Sequence, residues 1–234
     1  MLTHLKKYLL IGCFFFLSAA SPAELLQFVS LGLKKNATVG ALFECSEYTG
    51  EELIKHMKRV QQASDKSCSI IEVGAGQGAV SKVIIEHLRP QDTLVLIELM
   101  PEFCDVLRKK FPPEKFPNVR IINDNILDHN PSKQYDVCIC TLPFNGFTPQ
   151  LTQAILEKMQ RIIKVKGYFS YVAYAFLPTI RYYLLKWGNS RKEFFEQLSL
   201  MQSLNRRFQF DRSLVWRNMP PIYIHHLQFD AGHN

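Results

Sequence analysis

The chain predicts a doubly wound α/β fold with a mostly parallel sheet and an antiparallel final strand. Three observations predict it. From about residue 67 to Thr141, short apolar runs alternate with segments of helical period. Four of those runs end in glycines, an acid or a Pro-Phe turn, the chemistry expected just beyond the carboxyl ends of parallel strands. Two late apolar runs joined by Pro220-Pro221 suit an antiparallel pair closing the sheet, since that dipeptide cannot lie inside a central strand.

Taken in order, residues 1–22 place Lys6 and Lys7 before the apolar run Tyr8 to Leu17 and the small residues Ser18 to Ala20. Two readings fit: a secretory signal, or an uncleaved segment that dips into lipid while its lysines meet head groups. The run is short for a membrane span. Residues 23–66 are expected to hold N-terminal helices and a substrate loop. Ala23 to Leu33 reads as a short helix, and Lys34 to Cys45 as the loop. Ser46 caps a helix to about Gln62 with Glu51, Lys55 and Arg59 outward. Residues 67–234 carry the main domain.

Ile70 to Val73 is the first strand. Gly74, Gly76 and Gly78 form a turn, and Val80, Val83, Ile84 and Leu88 give the following helix its apolar face. Leu94 to Ile97 is the next strand, ending in Glu98. Val119 to Asn123 runs into Asp124, and Tyr135 to Cys140 runs into Thr141-Leu142-Pro143-Phe144-Asn145. Leu151 to Ile163 is amphipathic through Leu151, Ile155, Met159 and Ile162. Val165 to Tyr168 turns into a strand from Phe169 to Ala175. Helices are expected from Pro178 to Trp187 and after Asn189, then strands near Phe208 to Trp216 and Ile222 to Phe229.

Composition bounds the function. A 47% apolar fraction supports a full core and excludes a disordered chain. The net charge of +7 is uneven. Between Arg181 and Arg217 lie eight basic residues (Arg181, Lys186, Arg191, Lys192, Arg206, Arg207, Arg212, Arg217) and three acids (Glu193, Glu196, Asp211). That surplus suits an anionic partner, a membrane surface or a nucleic acid. The six cysteines show no metal-ligand pairing, which points to a reducing compartment and no zinc. Cys138 and Cys140 share one strand face as small apolar packers.

The strand–glycine turn–helix–strand unit is a nucleoside site. Glycines let the backbone approach a ligand closely, and an acid at the second strand end, Glu98, can take both ribose hydroxyls. The spacing places Glu72 before Gly74-x-Gly76-x-Gly78, unlike the Gly-x-Gly-x-x-Gly of dinucleotide sites. This pattern resembles the first motif of class I S-adenosylmethionine-dependent methyltransferases, whose Rossmann-like sheet would form the 67–234 domain. The resemblance implies S-adenosylmethionine as cofactor. Glu72 would face its ammonium and Asp124 the adenine amino group, with Thr141 beside them.

A narrower likeness covers residues 23 to 229. Leu33 to Leu42, the Thr141 to Asn145 turn, and Val215-Trp216-Arg217-Asn218-Met219-Pro220-Pro221 resemble segments of the bacterial phospholipid N-methyltransferase family. The chain departs from that family at Glu44-Cys45-Ser46 and at Thr141. The implied acceptor is the amine of a phosphatidylethanolamine-like lipid; the Lys6-Lys7 apolar segment and the basic C-terminal third point to a peripheral position on the cytoplasmic face of the inner membrane. Tyr48, Phe144 and Asn145 are the candidate acceptor-side residues. Tyr48, Tyr171 and Tyr174 are candidate proton acceptors, and of the adjacent His225 and His226 one is expected to face inward. Two alternatives stay open. The ribosomal RNA adenine dimethylases share the first motif and have Asn-Leu-Pro-Tyr-Asn at the fourth strand end, where RNA would be the partner and the aromatic would stack on a flipped base. Here Thr141 stands in place of the first asparagine. The other alternative is a non-catalytic cofactor-binding or interaction domain.

Overall fold

A computed structural model describes residues 45–144, 147–175, 189–218 and 221–230. The expected membrane-associating segment, the helix over 23–33, the substrate loop up to residue 44, Asn145 and the 178–187 helix lie outside the described residues.

Seven strands form one sheet in the order β3-β2-β1-β4-β5-β7-β6. They are β1 (Ser69–Val73), β2 (Thr93–Glu98), β3 (Val119–Asn123), β4 (Tyr135–Cys140), β5 (Ile163–Tyr174), β6 (Gln209–Val215) and β7 (Ile222–Gln228). The first five run parallel, and β7 is antiparallel to both neighbours, β5 and β6. The strand order reverses between β1 and β4, and such a switch point opens a crevice beyond the carboxyl ends.

Period-two alternation divides the core between the two faces. Ile70, Leu94, Leu96, Val137, Ile139, Ile222 and Ile224 pack on one side with Leu53, Ile54, Met57, Val83 and Leu107. These last come from α1 (Glu47–Leu53), α2 (Lys55–Ala63), α3 (Ala79–Glu86) and α4 (Pro101–Lys110), with Ile54 between α1 and α2. Ile71, Val73, Cys138, Cys140, Phe169 and Tyr171 pack on the other side against α5 (Pro149–Ile162) and α6 (Asn189–Phe208). Strands covered on both faces read as near-continuous apolar runs, which is why the β1 and β4 sequences stood out.

Three expectations need correction. The helix after Ser46 is two helices: Ser46 does cap it, accepting from the Thr49 N–H, but Ile54 sits at ψ 0° and breaks the run while its side chain is fully buried. The turn at 165–168 lies inside β5, which begins at Ile163; Lys166 takes a left-handed φ of 62°, and the pairing with β4 shifts register there. Both His225 and His226 face inward, because helices cover both faces of β7. His225 stacks on Tyr171 at 4.8 Å, and His226 lies against His56 of α2 at 4.4 Å.

Candidate active site

Backbone hydrogen bonds bring four strand ends together. Gly74 N–H donates to Ile97 O, Asp124 N–H to Glu98 O, and Thr141 N–H to Val73 O. The glycine turn, Glu98, Asp124 and Thr141 therefore line one edge of the sheet, at the switch point.

The three glycines of the turn all have positive φ, but their surroundings differ. A Cβ on Gly74 would lie 2.8 Å from Leu142 Cδ2, so this glycine serves close packing against the turn after β4. A Cβ on Gly76 would meet nothing closer than Gly74 O at 4.0 Å. Gly76 is thus the position where the backbone is open to an approaching ligand.

Glu98 is nearly buried, and its two oxygens accept one backbone N–H each: Gly76 at 2.8 Å and Met100 at 2.9 Å. A carboxylate has about four acceptor sites, so each oxygen retains capacity for a hydroxyl. Thr141 donates its hydroxyl to Gly74 O at 2.7 Å, holding the glycine turn from below. Asp124 Oδ1 accepts from the N–H of Asn125 at 2.8 Å, a local turn bond that fixes the carboxylate.

Glu72 is the unusual member. It is buried beneath the turn, with Ser81 Oγ donating to Oε2 at 2.6 Å. Its Oε1 is buried without a hydrogen-bond partner. Burial pushes the Glu72 carboxyl up to about 8; the Ser81 bond opposes this, and neighbouring Glu98 adds to it. A buried acceptor beside an open glycine and a doubly anchored carboxylate fits a nucleoside carrying a cationic tail.

On the acceptor side, Phe144 is enclosed, 3% exposed, edge-on to Phe147 and Tyr171. Its carbonyl accepts from Gln197 Nε2, which also donates to Thr152 Oγ1. Tyr48 is exposed in the first turn of α1, with the Arg217 guanidinium 4.7 Å over its ring. Tyr171 lies in the core and donates to Asn205 Oδ1 at 2.8 Å; burial raises both Tyr171 and Tyr174 above an ordinary phenol, which makes them poor proton acceptors.

Ser81, Gln197 and Asn218 have roles that sequence reasoning missed. Asn218 is buried; its Oδ1 accepts from Ser46 N–H at 2.9 Å and from Thr49 Oγ1 at 3.0 Å. The loop after β6 is thereby clamped to the start of α1, which packs on α3 through Gly50 and Val83. Gln197 carried a usable signal, a polar residue aligned with Phe194, Leu200, Met201 and Leu204 on the inward stripe of α6.

Residues 70–167 match a family model described as a methyltransferase domain. The ornithine lipid N-methyltransferase of Singulisphaera acidiphila is 24% identical over 109 residues, covering 44% of this chain and 56% of that protein. The chain spans between a third and just over half of the length of the curated relatives it matches. Among solved structures, the N-methyltransferase NodS from Bradyrhizobium japonicum WM9 in complex with S-adenosyl-L-homocysteine superposes with a TM-score of 0.55 at 10% identity, covering 79% of this chain and 89% of that one. The CurJ carbon methyltransferase gives 0.60 at 16% identity, covering 83% and 58%. The matched segment carries the strand ends that line the crevice, and the sheet around it has the fold of these methyltransferase structures.

Proposed function

We propose that the chain transfers a methyl group from S-adenosylmethionine to the amine of a phosphatidylethanolamine-like phospholipid at a membrane surface. The observation that carries the acceptor reading is the Asn218 clamp. It joins the Trp216-Arg217-Asn218 segment to α1 and leaves Trp216 (64% exposed), Tyr48 and Arg217 as a cationic, aromatic lip. Such a lip suits an interface where a ring meets the headgroup region and a guanidinium meets a phosphate. The ornithine lipid relative supports a lipid amine as acceptor.

The cofactor supplies an electrophilic methyl group on a sulfonium. The chain's own residues bind and orient. With the cofactor bound, Glu98 would offer both oxygens to the ribose hydroxyls, Gly76 would give the backbone room, Glu72 would face the ammonium, and Asp124 would serve the adenine amino group. The acceptor nitrogen must arrive without its proton, since an ammonium has no lone pair. Tyr48 is the accessible phenol at the lip, and Phe144 lies in the turn after β4 on the acceptor side. The enclosed Phe144 ring disfavours the RNA alternative, which needs an aromatic face free to stack on a flipped base. Position at the membrane is peripheral on this reading; among the described residues no helix is long and apolar enough to cross one.

The test uses methyl-labelled cofactor with vesicles containing phosphatidylethanolamine and, separately, ribosomal RNA. Label in the lipid amine supports the proposal. Label only in RNA adenine overturns it in favour of the dimethylase reading, and cofactor binding with no transfer to either makes the chain a binding domain.

A further inference from the structure

Away from the crevice, on the opposite half of the sheet, two histidines and an aspartate converge. His56 comes from α2, Asp211 from β6 and His226 from β7; Asp211 and His226 are register partners across the two strands. One ligand atom from each lies within 4.8 Å of the others. His56 Nε2 and Asp211 Oδ2 are 3.3 Å apart, close to the ligand–ligand edge of a tetrahedral ion with bonds of about 2.0–2.1 Å. The site lies mid-sheet, where His226 pairs with Ser170, well before the carboxyl end of β5 at Tyr174.

His226 is the independent pointer to a ligand. It is fully buried, its Nε2 has no hydrogen-bond partner, and its Nδ1 is fixed by Ser170 Oγ at 2.8 Å. A ring nitrogen held by a hydroxyl, with the other aimed into a cluster of donors, is how metal-binding imidazoles are oriented. Glu52 Oε1 lies 3.9 Å from His226 Nε2 and offers a fourth position.

The cluster already recruits a cation. Lys55 Nζ bridges the two carboxylates, 2.9 Å from Asp211 Oδ2 and 3.1 Å from Glu52 Oε1. Its side chain is one-third exposed, so the ammonium can swing to solvent.

We propose that His56, Asp211 and His226, with Glu52 as the fourth ligand, form a binding site for a borderline divalent transition ion such as Zn²⁺, which pins α1 and α2 to the β6–β7 edge. Two imidazoles and two carboxylates suit such ions and are a poor match for Ca²⁺ or Mg²⁺, which take oxygen ligands. On binding, Lys55 leaves the carboxylates. His56 carries its proton on Nδ1 instead of Nε2, and the exposed Arg59, whose guanidinium approaches Nδ1 at 3.3 Å, turns to solvent. The ion is structural and distinct from the methyl-transfer crevice.

The test titrates Zn²⁺ into the chelator-treated full-length protein by calorimetry, with thermal unfolding alongside and Co²⁺ absorption to report coordination. Wild type is expected to bind one ion with micromolar or tighter affinity, to melt higher with the ion, and to give the intense visible bands of four-coordinate Co²⁺. His226→Gln should abolish that binding. Asp211→Asn, on the partly exposed edge strand, should weaken it, and keeps the test open if the buried substitution does not fold. Lys55→Met should tighten binding about tenfold or more, because an ammonium beside a dication repels it at short range. A plain ion-pair network predicts the opposite: no ion, and a Lys55→Met protein that is only less stable. No saturable binding by wild type, or binding unchanged in both His226→Gln and Asp211→Asn, overturns the site.

Discussion

Ser81 donates to Glu72 Oε2 at 2.6 Å, and this leaves Glu72 Oε1 buried beneath the glycine turn with no hydrogen-bond partner. Burial, opposed by the Ser81 bond and aided by neighbouring Glu98, sets the charge state of Glu72. With its folded pKa raised from 4.5 to about 8, Glu72 is largely protonated at neutral pH.

The pH prediction follows from that shift. The folded value lies above the unfolded one, so the contribution to stability is full below about pH 4.5 and is lost as pH rises towards about 8. Thermal unfolding of the cofactor-free protein should show this fall, and Glu72→Gln, which is neutral throughout, should flatten it. A cationic tail at Oε1 favours the ionised carboxylate. Cofactor binding near pH 7 should therefore release a proton, seen as a calorimetric enthalpy that changes with the ionisation enthalpy of the buffer. An enthalpy independent of buffer would remove Glu72 from the cofactor's contacts.

Gly74 and Gly76 should separate stability from binding. Alanine at either carries a left-handed backbone cost of about 1–2 kcal/mol. At Gly74 its Cβ also meets Leu142 at 2.8 Å, whereas at Gly76 it enters open space. Gly74→Ala should have the lower melting temperature, and Gly76→Ala the larger loss of cofactor affinity relative to its loss of stability. Equal effects on both readouts would mean that neither glycine borders the ligand.

Asn218→Ala strips the acceptor from Ser46 N–H and Thr49 Oγ1, and unmet buried donors cost about 1–3 kcal/mol. Because the clamp sets the lip and not the cofactor crevice, methyl transfer to lipid should fall much further than cofactor affinity. Parallel loss of both would place the clamp's influence on the whole domain.

Much of the fold was legible because its strands are buried on both faces and end in distinctive turns. Ile70 to Gly78 and Tyr135 to Thr141 declare themselves as strand and turn without any tertiary information. The corrections arose where tertiary packing decides. Ile54 breaks a helix whose flanking sequence reads as continuous, and His225 and His226 both point inward because a helix covers each face of an edge-proximal strand. Contacts distant in sequence were invisible for the same reason. Asn218 meets Ser46 across 172 positions, and His56 meets Asp211 across 155. The motif marks Phe144 as an acceptor-side residue but says nothing of its enclosure by Phe147, Tyr171 and Gln197.

That enclosure changes how Phe144 is best probed. Truncation to alanine would cost about 3–5 kcal/mol from the cavity alone and would confuse folding with function. Phe144→Leu keeps most of the volume. It should lower methyl transfer while leaving cofactor affinity within a few-fold, as measured by steady-state transfer and equilibrium titration. Unchanged transfer would show that the ring only packs.

If Gly76 and Glu98 border the cofactor, calorimetric titration of S-adenosylmethionine into wild type and Glu98→Gln shows it most directly. Glutamine keeps the side-chain volume but loses the charge and one acceptor. Hydrogen bonds to charged groups contribute about 1.5–3 kcal/mol, so affinity should fall about tenfold or more, with the fold retained by circular dichroism. Undiminished affinity in Glu98→Gln would contradict the placement of the cofactor in this crevice.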